Sequence, residues 1–317
     1  MNSPISEGPG SILIVGTGAL ATLFAARLAR AGHQVTMLGR WADGLRALRE
    51  DGARLVNARG AEEKYRVSVA ADPADCVSTR YAVVLVKSWQ TERAARDLKL
   101  CLAKDGLALT LQNGLGNREM LASELGRRRV ALGSITTGAT LLGPGLARPG
   151  GEGKILLEAH PGLEPLARSL ESAGFVIELV QDASSVVWSK LVVNSAINPL
   201  TALLRIPNGE LLVRPSARAL MRALARETAA VASAEKVTLV QRDPVRIVES
   251  VALRTASNHS SMFQDIQRGA PTEIDAICGA VTRAGKRHKI ATPVNQACWQ
   301  LVQALSERSA DRRAHRD

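Results

Sequence analysis

Aromatic side chains are scarce in this chain, with three Phe, two Tyr and four Trp among 317 residues. The core must therefore be built from Leu, Val, Ile and Ala, and no pattern of aromatics for stacking nucleic-acid bases is present. Cysteine is also rare. Cys76, Cys101, Cys278 and Cys298 lie far apart and form no Cys-x-x-Cys pair. That usage excludes a disulfide scaffold and fits reduced thiols in a cytoplasmic protein. The five histidines have no metal-ligand spacing, so no metal is expected. The longest apolar runs, such as Ala82 to Val86, are strand-length and far short of the roughly 20 residues a membrane span needs. Residues 1–10 carry neither a basic cluster nor an apolar stretch, so they read as a disordered leader without a signal peptide. Lysine is the last scarcity. Only nine of the 41 basic residues are Lys, leaving 32 Arg. A lysine kept where arginine is the habit points to chemistry that needs a titratable ammonium.

What is present is ordinary for a globular protein: 46% hydrophobic and 22% charged residues, in a chain long enough for two domains. The net charge of +11 raises the question of nucleic acid. The arginines are scattered, however, with dense runs only at Arg127–Arg129, Lys286–Lys289 and Arg312–Arg316, and no nucleic-acid-binding motif accompanies them. A basic surface that attracts anionic small molecules is the preferred reading.

Ser11–Val15 reads as a short buried strand, followed at once by Gly16-Thr17-Gly18-Ala19-Leu20-Ala21 and a helical pattern through Arg30. Strand, glycine turn and helix in that order are the context in which a glycine fingerprint signifies dinucleotide binding. Gly16 permits the tight turn, Gly18 lets a pyrophosphate approach the helix N-terminus, and Ala21 is small enough for close helix packing. A second strand, Gln34–Leu38, ends at Gly39-Arg40 with no acid. An acid there would grip a ribose diol, whereas Arg40 suits a 2′-phosphate, so NADPH/NADP+ is the expected cofactor. Further strands are expected at 66–69, 81–86 and 107–111, with helices at 44–50, 91–103 and 118–125. This alternation indicates a doubly wound parallel sheet. Lys87 and Asn113 stand at strand ends, where ligands sit in open α/β sheets.

From Gly133 to Val180 the pattern changes to short β segments around one helix near 163–173. From Ser184 onward the chain reads as all helix, at about 185–203, 209–235, 243–268, 272–287 and 293–306. Lys190, Asn194 and Asn198 fall at i, i+4 and i+8 on a helix otherwise apolar, so one face carries a polar row that needs a partner or ligand. Asn258 and Ser261 are expected on the helix 245–268, and Thr272 is expected to cap the next helix with Glu273 in its first turn.

Together these segments resemble the ketopantoate reductase (2-dehydropantoate 2-reductase) family. The resemblance is carried by Gly16–Leu20, Arg40, Val86–Thr91 and Gln112–Gly116, then by Trp188–Ala202, Asn208–Glu210, Ser260–Ile266 and Thr272–Asp275. It implies a Rossmann-type domain followed by a helical substrate and dimerisation domain; the change of pattern puts these at 11–183 and 184–306, and the charged tail at 307–317 reads as disordered. NADPH and a 2-oxo acid would meet in the cleft between the domains of a homodimer. By the same resemblance Lys190 is the general acid and Glu273 its acidic partner. Asn194, Asn198, Asn258 and Ser261 hold substrate, and Gly16, Thr17, Gly18, Ala19, Leu20, Arg40, Lys87 and Asn113 lie on the cofactor side. Arg148 and Leu157-Glu158-Ala159 depart from the family pattern, which leaves open which 2-oxo acid is reduced. A paralogue acting on another branched 2-oxo acid stays open, as does a non-catalytic NADP sensor or nucleic-acid binder on the same fold.

Overall fold

The computed structural model describes residues 11–314, and the leader at 1–10 and the last three residues lie outside them. The described residues form two compact units, one of the residues up to 112 together with 117–183, the other of 113–116 together with the residues from 184 onward.

The first unit is organised by a parallel sheet buried on both faces. In Ile12–Val15, Ile12 and Ile14 point into one core with Phe24 and Leu28 of the helix Ala19–Arg30. Leu13 and Val15 point into the other, with Ala94, Ala95 and Leu98 of the helix Thr91–Cys101. An all-apolar strand is what a sheet covered on both sides demands. Eight strands run in the order Val176–Val180, Lys154–Glu158, Val130–Ile135, Leu102–Thr110, Thr79–Val84, Ile12–Val15, Val35–Leu38 and Ser68–Ala70. Every neighbouring pair is parallel except Lys154–Glu158 against Val130–Ile135.

A second, four-stranded sheet was not expected from the sequence. It runs Glu62–Tyr65, Ala53–Val56, Leu146–Pro149, Ala139–Gly143 and packs over the helix Ala19–Arg30. That helix is thereby enclosed on two sides, which explains why seven of its twelve residues are buried.

The second unit is helical and has its own core, centred on Leu191, Val192, Ala196 and Ile197 of the helix Ala183–Leu204, with Met221 and Val281 among their partners. Three expected helices are broken. The helix expected at 209–235 divides into Glu210–Val213 and Pro215–Ala234, because Pro215 cannot continue a helix but starts one well. The helix expected at 243–268 stops at Arg254 and restarts at Ser261. Ser260 Oγ accepts from the Phe263 amide at 3.1 Å and so caps the restart. Asn258 therefore lies in a loop, while Ser261 opens the following helix. The third begins with a wide π turn, Asp275–Gly279, before the α-helix Ala280–Arg287. In the opposite sense, the final helix runs past the expected stop at 306 to Ala314.

Among the described residues, no helix is long and apolar enough to cross a membrane.

Candidate active site

In the first unit the glycine turn has the geometry its residues require. Gly16 has φ +130°, and a Cβ there would lie 3.3 Å from the backbone of Leu85 and Val86 on the neighbouring segment. Gly18 is exposed and opens the helix Ala19–Arg30; a Cβ there would meet no protein atom within 4 Å. That helix has no capping side chain and no acid in its first turn. Its leading amides therefore offer an uncontested anion site, which fits a pyrophosphate. Thr17 is buried beneath the turn, packed against Gly39, and Ala19 and Leu20 are half-buried.

A small solvent-open hollow lies beside the end of Val35–Leu38, walled by Leu38 and Val86 and rimmed by Arg40, Gln90, Arg93 and Asp97. Arg93 and Asp97 were not singled out from the sequence. They sit one turn apart on an exposed-looking helix, and only the packing brings both to Arg40's side. Arg40 Nη2 donates to Asp97 Oδ1 at 3.1 Å. Lys87 is half-buried and begins the short turn Ser88–Gln90. Gln112 fixes the neighbouring strand ends, donating to the Val86 carbonyl at 3.0 Å and Thr91 Oγ1 at 2.8 Å.

In the second unit the polar row is where the helical period puts it. Lys190 and Asn194 are half-buried, Asn198 is buried, and between Trp188 and Ala202 the remaining side chains of the helix are buried except the half-buried Val193. Among the described residues, neither the Asn194 nor the Asn198 amide has a side-chain hydrogen-bond partner. The Lys190 pKa is lowered from 10.5 to about 8, first by desolvation of the ammonium and against the charge of Glu273, which raises it. Glu273 is buried just ahead of the π turn, a helical irregularity frequent at functional sites. Asn113, expected on the cofactor side, donates from Nδ2 to Glu273 Oε2 at 3.1 Å. Its segment is locked to the same turn: the Leu115 amide donates to the Ala276 carbonyl at 2.9 Å, and Gly114 has φ +83°. An ammonium, a carboxylate and an amide thus form one set, able to donate a proton to an oxygen on which negative charge develops.

Asn258 and Ser261 are exposed, and the loop that carries Asn258 is held from behind by residues given no role in the sequence reading. The Asn208 amide donates to the Asn258 carbonyl at 3.0 Å, and Asn208 Nδ2 to Thr255 Oγ1 at 2.8 Å. Gly209 is pressed against Ala256, where a Cβ would approach within 2.6 Å. The Asn-Gly dipeptide was the available signal for this close approach.

The family model "Ketopantoate reductase PanE/ApbA" matches residues 12–162, and "Ketopantoate reductase PanE/ApbA C terminal" matches residues 182–306. The chain belongs to the ketopantoate reductase family. It is 36% identical to the 2-dehydropantoate 2-reductase of Halobacterium salinarum over 92% of this chain and 97% of that one. Identity to the Vibrio cholerae 2-dehydropantoate 2-reductase is 32%, over 94% and 98%. A PanE/ApbA family ketopantoate reductase from Ralstonia eutropha JMP134 superposes with TM-score 0.88 at 32% identity, covering 95% of this chain and 99% of that one. A D-mandelate dehydrogenase solved with NADH and anilino(oxo)acetate reaches the same TM-score, 0.88, at 26% identity and the same coverage. The ketopantoate reductase fold is thus shared with an NADH-bound dehydrogenase, and the protein is an oxidoreductase of this family.

Proposed function

We propose that the protein reduces a 2-oxo acid with NADPH, and that the acid is 2-dehydropantoate, yielding pantoate for pantothenate and coenzyme A synthesis. The observation that carries the reading is the half-buried Lys190 with the charge of Glu273 acting on it, an ammonium whose pKa is lowered to about 8 on a helix face otherwise lined by Asn amides. When bound, the cofactor supplies a hydride to the C2 carbonyl carbon. Gly16, Thr17, Gly18, Ala19 and Leu20 would hold its pyrophosphate, Arg40 its 2′-phosphate, and Lys87 its remaining polar groups; Asn113 would serve the cofactor side while steadying Glu273. As the carbonyl oxygen gains negative charge, the Lys190 ammonium stabilises it and passes it a proton, so that the oxygen leaves as the product's hydroxyl. Glu273 favours the charged lysine, keeping the donor loaded near neutral pH. Asn194, Asn198, Asn258 and Ser261 orient the substrate's carboxylate and hydroxyl through uncharged donors. In this reading residues 11–183 serve the cofactor, and 184–306 serve the substrate and dimer contact.

The relatives' names support 2-dehydropantoate as substrate. The D-mandelate dehydrogenase neighbour supports one second reading, a paralogue that uses another bulky 2-oxo acid and accepts NADH. A panel of 2-oxo acids assayed with NADPH and with NADH tests both. Highest kcat/KM for 2-dehydropantoate with NADPH is expected. Preference for an aryl 2-oxo acid, or no reduction of any member, would overturn the proposal.

We also read the protein as a cytoplasmic homodimer. Four free, buried cysteines support the compartment. Val213, Leu220 and Leu253, exposed apolar side chains on three mutually packed helices, support self-association.

A further inference from the structure

Arg40 does not stand alone at the end of its strand. Its guanidinium is paired at 3.1 Å with Asp97, which is only 15% exposed where Arg40 is 50% exposed. Arg93, four residues before Asp97 on the helix Thr91–Cys101, borders the same hollow. Two guanidiniums and one carboxylate therefore surround a space beside the strand end that, in this class of fold, receives the cofactor's adenosine ribose. The two forms of the cofactor differ there in charge. A 2′-phosphate is anionic and attracts guanidinium forks; a 2′-hydroxyl is neutral and can donate to a carboxylate.

Resting on the dinucleotide reading above, we propose that Asp97 sets this chain's preference between NADPH and NADH, with Arg93 as a second cation for the phosphate. Asp97 supplies, from the neighbouring helix, the acid that the end of Val35–Leu38 lacks. It neutralises Arg40 and repels a 2′-phosphate, so NADPH must draw Arg40 away from it. Toward NADH the same carboxylate is an acceptor for the ribose hydroxyl. The Arg40–Asp97 pair thus tempers the discrimination that Arg40 would otherwise impose.

The test is equilibrium binding of NADPH and of NADH by calorimetry, needing no turnover. The proteins are the unaltered one and the Asp97→Asn, Arg93→Ala, Arg40→Ala and Arg40→Ala/Asp97→Asn variants. Asp97→Asn removes the charge at constant size; Asp97→Ser is a second variant should Asn perturb the helix. Asp97→Asn is expected to tighten NADPH roughly three- to thirtyfold, from release of a partly exposed ion pair plus loss of repulsion, and to weaken NADH. Most of the NADPH gain should vanish in the Arg40→Ala background, and Arg93→Ala should weaken NADPH more than NADH. If Asp97→Asn and Asp97→Ser leave the NADPH-to-NADH ratio unchanged while Arg40→Ala still lowers it, the proposal is refuted and the cofactor reading stands. If no variant and not the unaltered protein binds either dinucleotide, the cofactor reading itself fails and the proposal with it.

Discussion

Replacing Glu273 by Gln isolates what the carboxylate does for Lys190. The ammonium is held down at about 8 by desolvation, and Glu273 is the opposing influence that keeps it from falling further. An opposite charge at close range moves a pKa by about 1–3 pH units. Without it, Lys190 should titrate below 8. In the mechanism proposed above reduction needs the protonated amine, so the rate is expected to be highest below the lysine's pKa and to be lost as pH rises through it. The descending limb of kcat for reduction should therefore lie near pH 8 in the unaltered enzyme and move down by about 1–3 units in Glu273→Gln. Stability reports the same group with its own sign. The lysine's folded pKa is below its unfolded value, so the folded state carries the cost of burying an ammonium below pH 8 and sheds it as pH rises toward 10.5. The lowering is equivalent to about 3 kcal/mol, an upper bound because the side chain keeps some solvent access. Lys190→Met should consequently be as stable as the unaltered protein or more so at pH 7, with the difference shrinking toward pH 10. Steady-state kinetics between pH 5 and 10, beside urea denaturation across the same range, measure both. An unmoved descending limb in Glu273→Gln would refute the coupling.

Two further substitutions test the scaffold behind this set. Gly114→Ala places a Cβ 2.4 Å from the Ala276 carbonyl at φ +83°, so it should cost about 2–4 kcal/mol in denaturant melts and lower kcat by displacing Asn113 from Glu273. Ser260→Ala removes the oxygen that caps Ser261–Gln267 and accepts from Thr201 Oγ1 at 2.7 Å; a loss of about 1–2 kcal/mol is expected, with KM raised more than kcat because Asn258 and Ser261 flank it.

The features legible in the sequence were those governed by short-range rules. The row of Lys190, Asn194 and Asn198 needs only the helical period, and the Gly16–Gly18 turn needs only a strand before it and a helix after it. The parallel sheet was legible because strands buried on both faces have all-apolar cores such as Ile12–Val15. The second sheet was not, for two reasons. Glu62–Tyr65 is a polar edge strand of Glu, Lys and Tyr, and Ala53–Val56 pairs with Leu146–Pro149 some ninety residues away, a partnership no local pattern records. The interruption after Arg254 was hidden because the flanking segments share a helical pattern and the break is fixed by distant partners, Asn208 and Thr201. Asn113 illustrates the same limit at the site. Its place at a strand end suggested a cofactor contact, and no local pattern recorded its hydrogen bond to Glu273, 160 residues on. Asp97 was invisible for a related reason: on a helix of alternating charge it looks like surface, and only folding sets it against Arg40.

Proton donation by Lys190 is tested most directly by Lys190→Arg, with kcat measured beside NADPH affinity. Arginine keeps the positive charge but cannot release a proton near neutral pH. The expected result is near-normal NADPH binding with kcat lowered roughly 10²–10⁴-fold. Turnover close to that of the unaltered enzyme would contradict the assignment, and with it the mechanism proposed for this protein.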